Sequence, residues 1–308
     1  MKGLVNSIKA SGHIGFVYAL LSVIFMSPIF IIVNIVTREM PTETANLMFF
    51  GSGLAVTFMV STIRRRNMHI IRLAKSHFYP LLLIGGINAV AAMLFFMGIK
   101  AIGPSTSAFI ARLETVFTVF LGAVILKEKL GKADMVGIAV TVAGALLMTY
   151  SDVSLAFGSL FILGSSAVIS FQRILLKKYV SRISSFDLNQ LRLLFAAAIL
   201  FVYVISTSKF VVPTPANALL ISLGGVTAPV IGFYFMLKSM ESMDVSKTMT
   251  VKSIEPFIVA VMSMVLFGSA MSSSQITGGA FMAAGIVVLA VAHKKQLADK
   301  SRMAVSVD

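Results

Sequence analysis

Gly103-Pro104-Ser105-Thr106-Ser107-Ala108-Phe109-Ile110-Ala111-Arg112-Leu113-Glu114-Thr115-Val116-Phe117 runs into an apolar segment that ends at Lys127-Glu128-Lys129. A glutamate thus stands in the middle of an apolar stretch of helical length. Shifted by 141 residues, a second copy appears: Asp244-Val245-Ser246-Lys247-Thr248-Met249-Thr250-Val251-Lys252-Ser253-Ile254-Glu255-Pro256-Phe257. Ser105 falls on Ser246, Glu114 on Glu255, Gly137 on Gly278 and Gly144 on Gly285, without a gap. The chain reads as two halves of one unit, each with an acid in the same place.

The 308 residues are 57% hydrophobic and 12% charged, where a soluble domain carries about 25% charged residues. Apolar stretches of about 20 residues recur along the whole length, the pattern of an all-α integral membrane protein. Trp is absent, so Tyr and Phe must form any interfacial belt. Cys is absent as well, which removes disulfides, thiol nucleophiles and thiolate metal sites. The net charge of +14 gathers in short loops and follows the positive-inside rule. No polar domain exists to carry a nucleic-acid patch, so no nucleic-acid partner is expected. The first apolar run, after Lys2 and Lys9, reads as a spanning helix and not as a cleaved signal.

Ten spans are predicted, at 15–37, 43–62, 78–99, 104–126, 133–150, 154–176, 184–206, 216–238, 245–267 and 273–293. Both termini and the even-numbered connections are basic, with Lys2, Lys9, Arg64, Arg65, Arg66, Arg72, Lys75, Lys127, Lys129, Lys132, Lys177, Lys178, Arg182, Lys238, Lys294, Lys295, Lys300 and Arg302. The odd-numbered connections hold Arg38, Lys100 and Lys209. This asymmetry predicts cytoplasmic termini. Five spans per half oblige the second half to enter from the opposite face. Its loops should then lose the charges of their counterparts, and Lys127 to Lys132 does correspond to Gly268-Ser269-Ala270-Met271-Ser272-Ser273. Gly85-Gly86 and Phe96-Met97 match Gly224-Gly225 and Phe235-Met236 at a shift of 139. The expectation is two inverted five-helix repeats, 1–151 and 152–295, with a cytoplasmic tail 296–308. A site at the interface of such repeats is a transporter arrangement.

Glu114 and Glu255 fall near the bilayer midplane, where a lone carboxylate must be protonated, paired or facing a wet cavity. Two roles stay open for them: contacting substrate or a coupling proton, or hydrogen bonding near a helix bend. Lys252 is three residues from Glu255 and can pair with it along one helix face. Arg112 lies roughly 200° round the helix from Glu114 and needs another partner, across helices. Arg192, with Asn189 and Gln190, sits in the inner half of its span, and Asn88 at mid-span either lines the cavity or bonds a neighbouring helix. Arg173 is expected to snorkel toward the cytoplasm. Pro28, Pro229 and Pro256 predict bends. The Gly and Ala residues of 133–150 and 273–293 predict packing helices. HExxH, Walker A and paired-aspartate patterns are absent, so neither an enzyme, a metal site nor a cofactor is indicated.

Ile254-Glu255-Pro256-Phe257, with Leu113-Glu114-Thr115-Val116-Phe117 followed by Leu126-Lys127-Glu128-Lys129-Leu130, resembles the EamA-type branch of the drug/metabolite transporter superfamily. Thr115 stands where that family often has proline, and Ser269 replaces an acid at the helix end. The resemblance implies a secondary transporter of the bacterial inner membrane, commonly an exporter of amino acids, other metabolites or drugs. It implies a central cavity lined by spans 1, 3, 4, 6, 8 and 9, with Glu114, Glu255, Lys252 and Asn88 on cavity-lining helices. A small-molecule substrate and the lipid bilayer are the expected partners, and the sequence carries no signal for an oligomeric state. Arg112, Lys252 and Arg192 outnumber the two acids, which leans toward anionic or zwitterionic cargo. A transport-inactive membrane sensor or assembly partner is the alternative reading.

Overall fold

The computed structural model describes residues 2–126, 131–149, 153–180, 182–242, 245–268 and 271–288. Lys127, Lys129, Lys294, Lys295, Lys300, Arg302, Ser269 and the tail 296–308 lie outside them. The regular structure of the described residues is helical: α1 (Lys2–Met26), α2 (Pro28–Glu39), α3 (Thr42–Ile63), α4 (Asn67–Ser76), α5 (Phe78–Ile102), α6 (Pro104–Ile110), α7 (Leu113–Leu126) and α8 (Lys132–Thr149). Then follow α9 (Val153–Val180), α10 (Ser185–Ser206), α11 (Pro215–Val226), a π-helical turn Thr227–Gly232, α12 (Phe233–Ser242), α13 (Val245–Lys252) and α14 (Glu255–Phe267). A last helix, α15, covers Ser273–Val288.

Helix is the backbone form that apolar surroundings favour, because every N–H and C=O is then bonded within the segment. Breaks fall where the sequence supplies the chemistry for them. Pro28, Pro104, Pro215 and Pro256 occupy first turns, where the missing N–H costs nothing. Ser184 and Thr214 cap α10 and α11 by accepting from the N–H groups of Asp187 and Asn217. Among the described residues, six segments are long and apolar enough to cross a membrane: Ile14–Glu39, Thr42–Ile63, Phe78–Ile102, Phe157–Lys177, Ser185–Ser206 and Pro215–Ser242. Met135–Leu147, Glu255–Phe267 and Ser273–Val288 are shorter apolar helices. The spans predicted at 104–126 and 245–267 are each split in two, and the basic loop predicted after Ile63 contains the helix α4.

The two halves of the chain are interleaved. α5 packs on α9 and α10, α1 on α12, α3 on α10 and α11, and α7 on α9. A large apolar core surrounds Phe30, Phe49, Phe96, Phe109 and Val259. A second core lies where α4 meets the bundle, around Ile70, Leu81, Leu176, Leu188, Met236 and Met240. At the opposite end, Lys209 donates to Glu43, which raises its pKa above the ordinary lysine value.

α8 and α15 make the close contact that their small residues predict. A Cβ on Gly144 would fall 2.5 Å from the Gly278 carbonyl oxygen, and one on Gly285 would fall 2.6 Å from Thr141 N. Both obstacles are backbone and cannot swing aside. Gly285→Val should therefore destabilise the detergent-solubilised protein by roughly 1–3 kcal/mol, read as a lowered thermal midpoint. Gly51→Ala is the control, because nothing lies within 4 Å of its added Cβ; an equal loss there would remove the packing explanation.

Candidate functional site

The two acids stand at equivalent breaks. α6 stops at Ile110 and α7 restarts at Leu113, so Glu114 lies in the first turn of α7. α13 stops at Lys252 and α14 begins with Glu255. Each break is a tightened turn: Arg112 N–H donates to Phe109 O at 2.9 Å, and Ile254 N–H to Val251 O at 3.4 Å. Thr115, which lacks the ring of Pro256, keeps its N–H and donates to Arg112 O at 2.9 Å. The first half therefore breaks without proline. Carboxylates suit both positions, since free N–H groups and the helix dipole make a helix N-terminus electropositive. Side chains recover carbonyls around the breaks: Ser166 donates to Ala111 O, Ser170 to Glu114 O, and Arg112 to Lys252 O.

The carboxylates are paired crosswise between the halves. Arg112 Nη2 lies 2.8 Å from Glu255 Oε2, and Arg173 Nε lies 2.8 Å from Glu114 Oε1. All four side chains are buried, with relative exposures from 2% to 8%. The pairing of Arg112 across helices, and away from Glu114, agrees with its angular position. The expected Lys252–Glu255 pair exists but is loose, at 3.9 Å. The break at Ser253 and Ile254 separates the two residues, and Arg112 occupies the same carboxylate oxygen.

Arg173 overturns the snorkelling expectation. It is 2% exposed, turned inward to Glu114, with its guanidinium 5.2 Å from the Phe233 ring centre. A carboxylate and an aromatic face within reach outweigh the route to water. The sequence did hold a signal for this: Ser166, Ser170 and Arg173 form one helix face at spacings of four and three.

Arg192 is held differently. It donates to Asn189 Oδ1, to Asn88 Oδ1 at 2.9 Å and to Pro229 O at 3.2 Å, and it stacks 3.6 Å above Phe233. Among the described residues no carboxylate forms a salt bridge with it. The π-helical turn at Pro229 exposes the carbonyls that Arg192 and Asn189 use. Asn88 fulfils both of its open roles. It lines the cavity and accepts from Arg192 and from Gln172, a residue that the sequence reading did not single out.

These groups line one cavity of about 130 Å³. Glu114, Glu255, Lys252, Arg112, Asn88 and Arg192 all reach its wall, as does Arg173. Phe30, Phe49, Phe50, Phe95, Phe96 and Phe233 supply aromatic surface. α3, through Phe49 and Phe50, and α10, through Arg192, therefore join the helices that the resemblance implied. Among the described residues, four cations face two carboxylates there. Lys252 Nζ is the least served: besides the distant Glu255 it meets the Met26 sulfur at 3.4 Å. Arg112 Nε and Arg173 Nη1 are buried without a hydrogen-bond partner.

Fold and cavity define a multi-pass helical membrane protein with a charged, aromatic-walled centre. Comparison with known proteins supplies the family: residues 13–150 and 156–291 each match the EamA-like transporter family, to which the chain belongs. It is a membrane transporter of that family. A Bacillus subtilis (strain 168) protein described as uncharacterized transporter YyaM is 24% identical over 217 residues, 66% of this chain and 68% of that protein. A solved crystal structure superposes with a TM-score of 0.69 at 17% identity, covering 92% of this chain and 98% of that one.

Breaking a buried pair strands a charge, at roughly 3–5 kcal/mol. Arg173→Gln and Glu114→Gln should each lower the thermal midpoint of the purified protein. The double variant should lose clearly less than the two single losses together. Additive losses would show that the pair does not contribute as a pair.

Proposed function

We propose that the protein is a secondary active transporter that exports a small organic anion bearing an apolar body, through the central cavity and by alternating access. The observation that carries this reading is the excess of cations, above all the underserved Lys252 ammonium among aromatic walls. A buried charge without a full complement of partners is costly, and a bound carboxylate or phosphate would relieve that cost. The aromatic rings would hold the apolar body.

The wider architecture proposed with it is ten spans in two inverted repeats, 1–151 and 152–295, in the bacterial inner membrane with both termini cytoplasmic. Packing supports the symmetry. Exchanging the halves turns the α5–α9 contact into the α12–α1 contact, and both are extensive. The matched segments Gly85-Gly86 and Gly224-Gly225 each come close to the other half, Gly85 against Phe195 of α10 and Gly225 against Phe49 of α3. A vestibule of about 280 Å³ lies at the outer end on this topology, lined by Asn34, Arg38, Thr106 and Gln275. The apolar cluster around Leu176, Leu188, Met236 and Met240 fills the cytoplasmic end. That asymmetry supports assigning this arrangement to the outward-facing member of the pair. Glu114 and Glu255 are the proposed carriers of a coupling proton.

In proteoliposomes, an imposed proton gradient should drive an aryl carboxylate in the direction opposite to proton flow, and should not drive a cationic amine of like size. Lys252→Met should lower flux by at least tenfold, about 1.4 kcal/mol, in protein that still inserts and stays monodisperse. Unchanged flux would remove Lys252 from the site, and flux indifferent to the gradient would remove proton coupling.

A further inference from the structure

A second recess, of about 420 Å³, lies away from the central cavity, where α4 crosses α3, α5 and α10. Its walls are almost wholly apolar, from Leu54, Phe58, Ile71, Phe78 and Leu194. Phe58 and Phe78 are 56% and 46% exposed, so the recess opens sideways on the flank of the bundle. α4 joins α3 to α5, and both are long and apolar enough to cross a membrane. A short helix between two such spans lies at the membrane face, at headgroup level.

Charge is one-sided around this opening. Arg64, Arg65, Arg72 and Lys75 are exposed, and Lys75 itself lines the recess. From Leu54 to Phe78 the sequence holds no acidic residue. The one acid at the start of α10, Asp187, is taken by Arg66 at 2.7 Å, with His69 3.5 Å from the same oxygen. Asn67 Oδ1 is buried without a partner and its residue lines the recess, so an acceptor is left over there. An amphipathic basic helix beside an apolar slot matches the two parts of an anionic phospholipid. A soluble anion would leave the slot bare, and a neutral lipid would leave the cations unanswered.

We propose that this recess binds an anionic phospholipid. One acyl chain lies along Phe58, Ile71 and Phe78. The phosphate rests between Arg72 and Lys75, and Asn67 Oδ1 accepts from a headgroup hydroxyl. The site is separate from the transport cavity and does not depend on what that cavity carries.

The test is lipid retention by the purified full chain, measured by native mass spectrometry and by thermal shift in detergent. Phosphatidylglycerol should bind saturably, and phosphatidylcholine with the same chains should neither bind comparably nor displace it. Arg72→Gln with Lys75→Gln, both at exposed positions, should weaken phosphatidylglycerol roughly 30-fold. Ala74→Trp, which fills the recess, should abolish retention while the lipid-free thermal midpoint stays near that of the parent. Equal binding of the two lipids would overturn the proposal, as would an unchanged preference in the double glutamine variant. Displacement by glycerol 3-phosphate at equal concentration would reduce the site to a headgroup patch and overturn the acyl-chain assignment.

Discussion

The centre of this protein depends on two buried carboxylates that each take a cation from the other half of the chain. Glu114 takes Arg173, and Glu255 takes Arg112. These two cations are not themselves repeated, since the residue matching Arg112 is Ser253 and the residue matching Arg173, at the same shift, is Ile32. The halves share the acids by duplication but not the cations. Apposition of the halves is therefore an electrostatic requirement as well as a packing one, because a separated half would leave charge in apolar surroundings. The helix breaks serve the same end. They place each acid at a helix N-terminus, and they release carbonyls that Ser166, Ser170 and Arg112 then bind.

Aromatic surface manages the cations that remain. Phe233 presents its ring to both Arg192 and Arg173, at 3.6 and 5.2 Å from the ring centre. Arg192 receives neutral oxygens in place of a carboxylate, from Asn88, Asn189 and Pro229. Such a cation is fixed in position yet keeps its charge in the cavity. A salt-bridged arginine is fixed as firmly but largely neutralised. The site thus combines two neutral pairs with two cations, Arg192 and Lys252, whose charge is open to a bound molecule.

Much of this was legible in the sequence, and the reasons differ by element. Six of the ten predicted spans were legible because the bilayer's thickness imposes a length on apolar runs, and predicted ends such as 43–62 and 78–99 fall within a few residues of Thr42–Ile63 and Phe78–Ile102. The paired acids were legible through the repeat. The break before Glu114 was not, because Thr115 carries no proline signal and the turn there is set by tertiary hydrogen bonds. Arg173 was misread for a physical reason: distance from a span end gives access to water, but not the carboxylate that another helix offers. α4 was hidden by its charge, since four arginines and a lysine between Arg64 and Lys75 read as a loop, while Ile70 and Leu73 join the apolar cluster beside it.

The unequal hold on Glu255 gives the asymmetry a consequence. Arg112 and Lys252 both approach the Oε2 atom, at 2.8 and 3.9 Å, and the nearer cation is anchored in the first half of the chain. On the proposed alternating access, rocking one half against the other would stretch Arg112–Glu255, which crosses between halves, and would leave Lys252 and Glu255 together on neighbouring turns of the second half. The carboxylate then has a substitute partner without leaving its helix. On the transport reading, a substrate anion bound to Lys252 would compete for that substitute and hold Glu255 on Arg112, whereas a proton on Glu255 would free both cations at once. Anion and proton would therefore bias the same contact in opposite directions. Two opposed influences on one bistable contact are the thermodynamic condition for coupling. Glu114 has no such alternative, since its own half places Ala111 where the second half places Lys252.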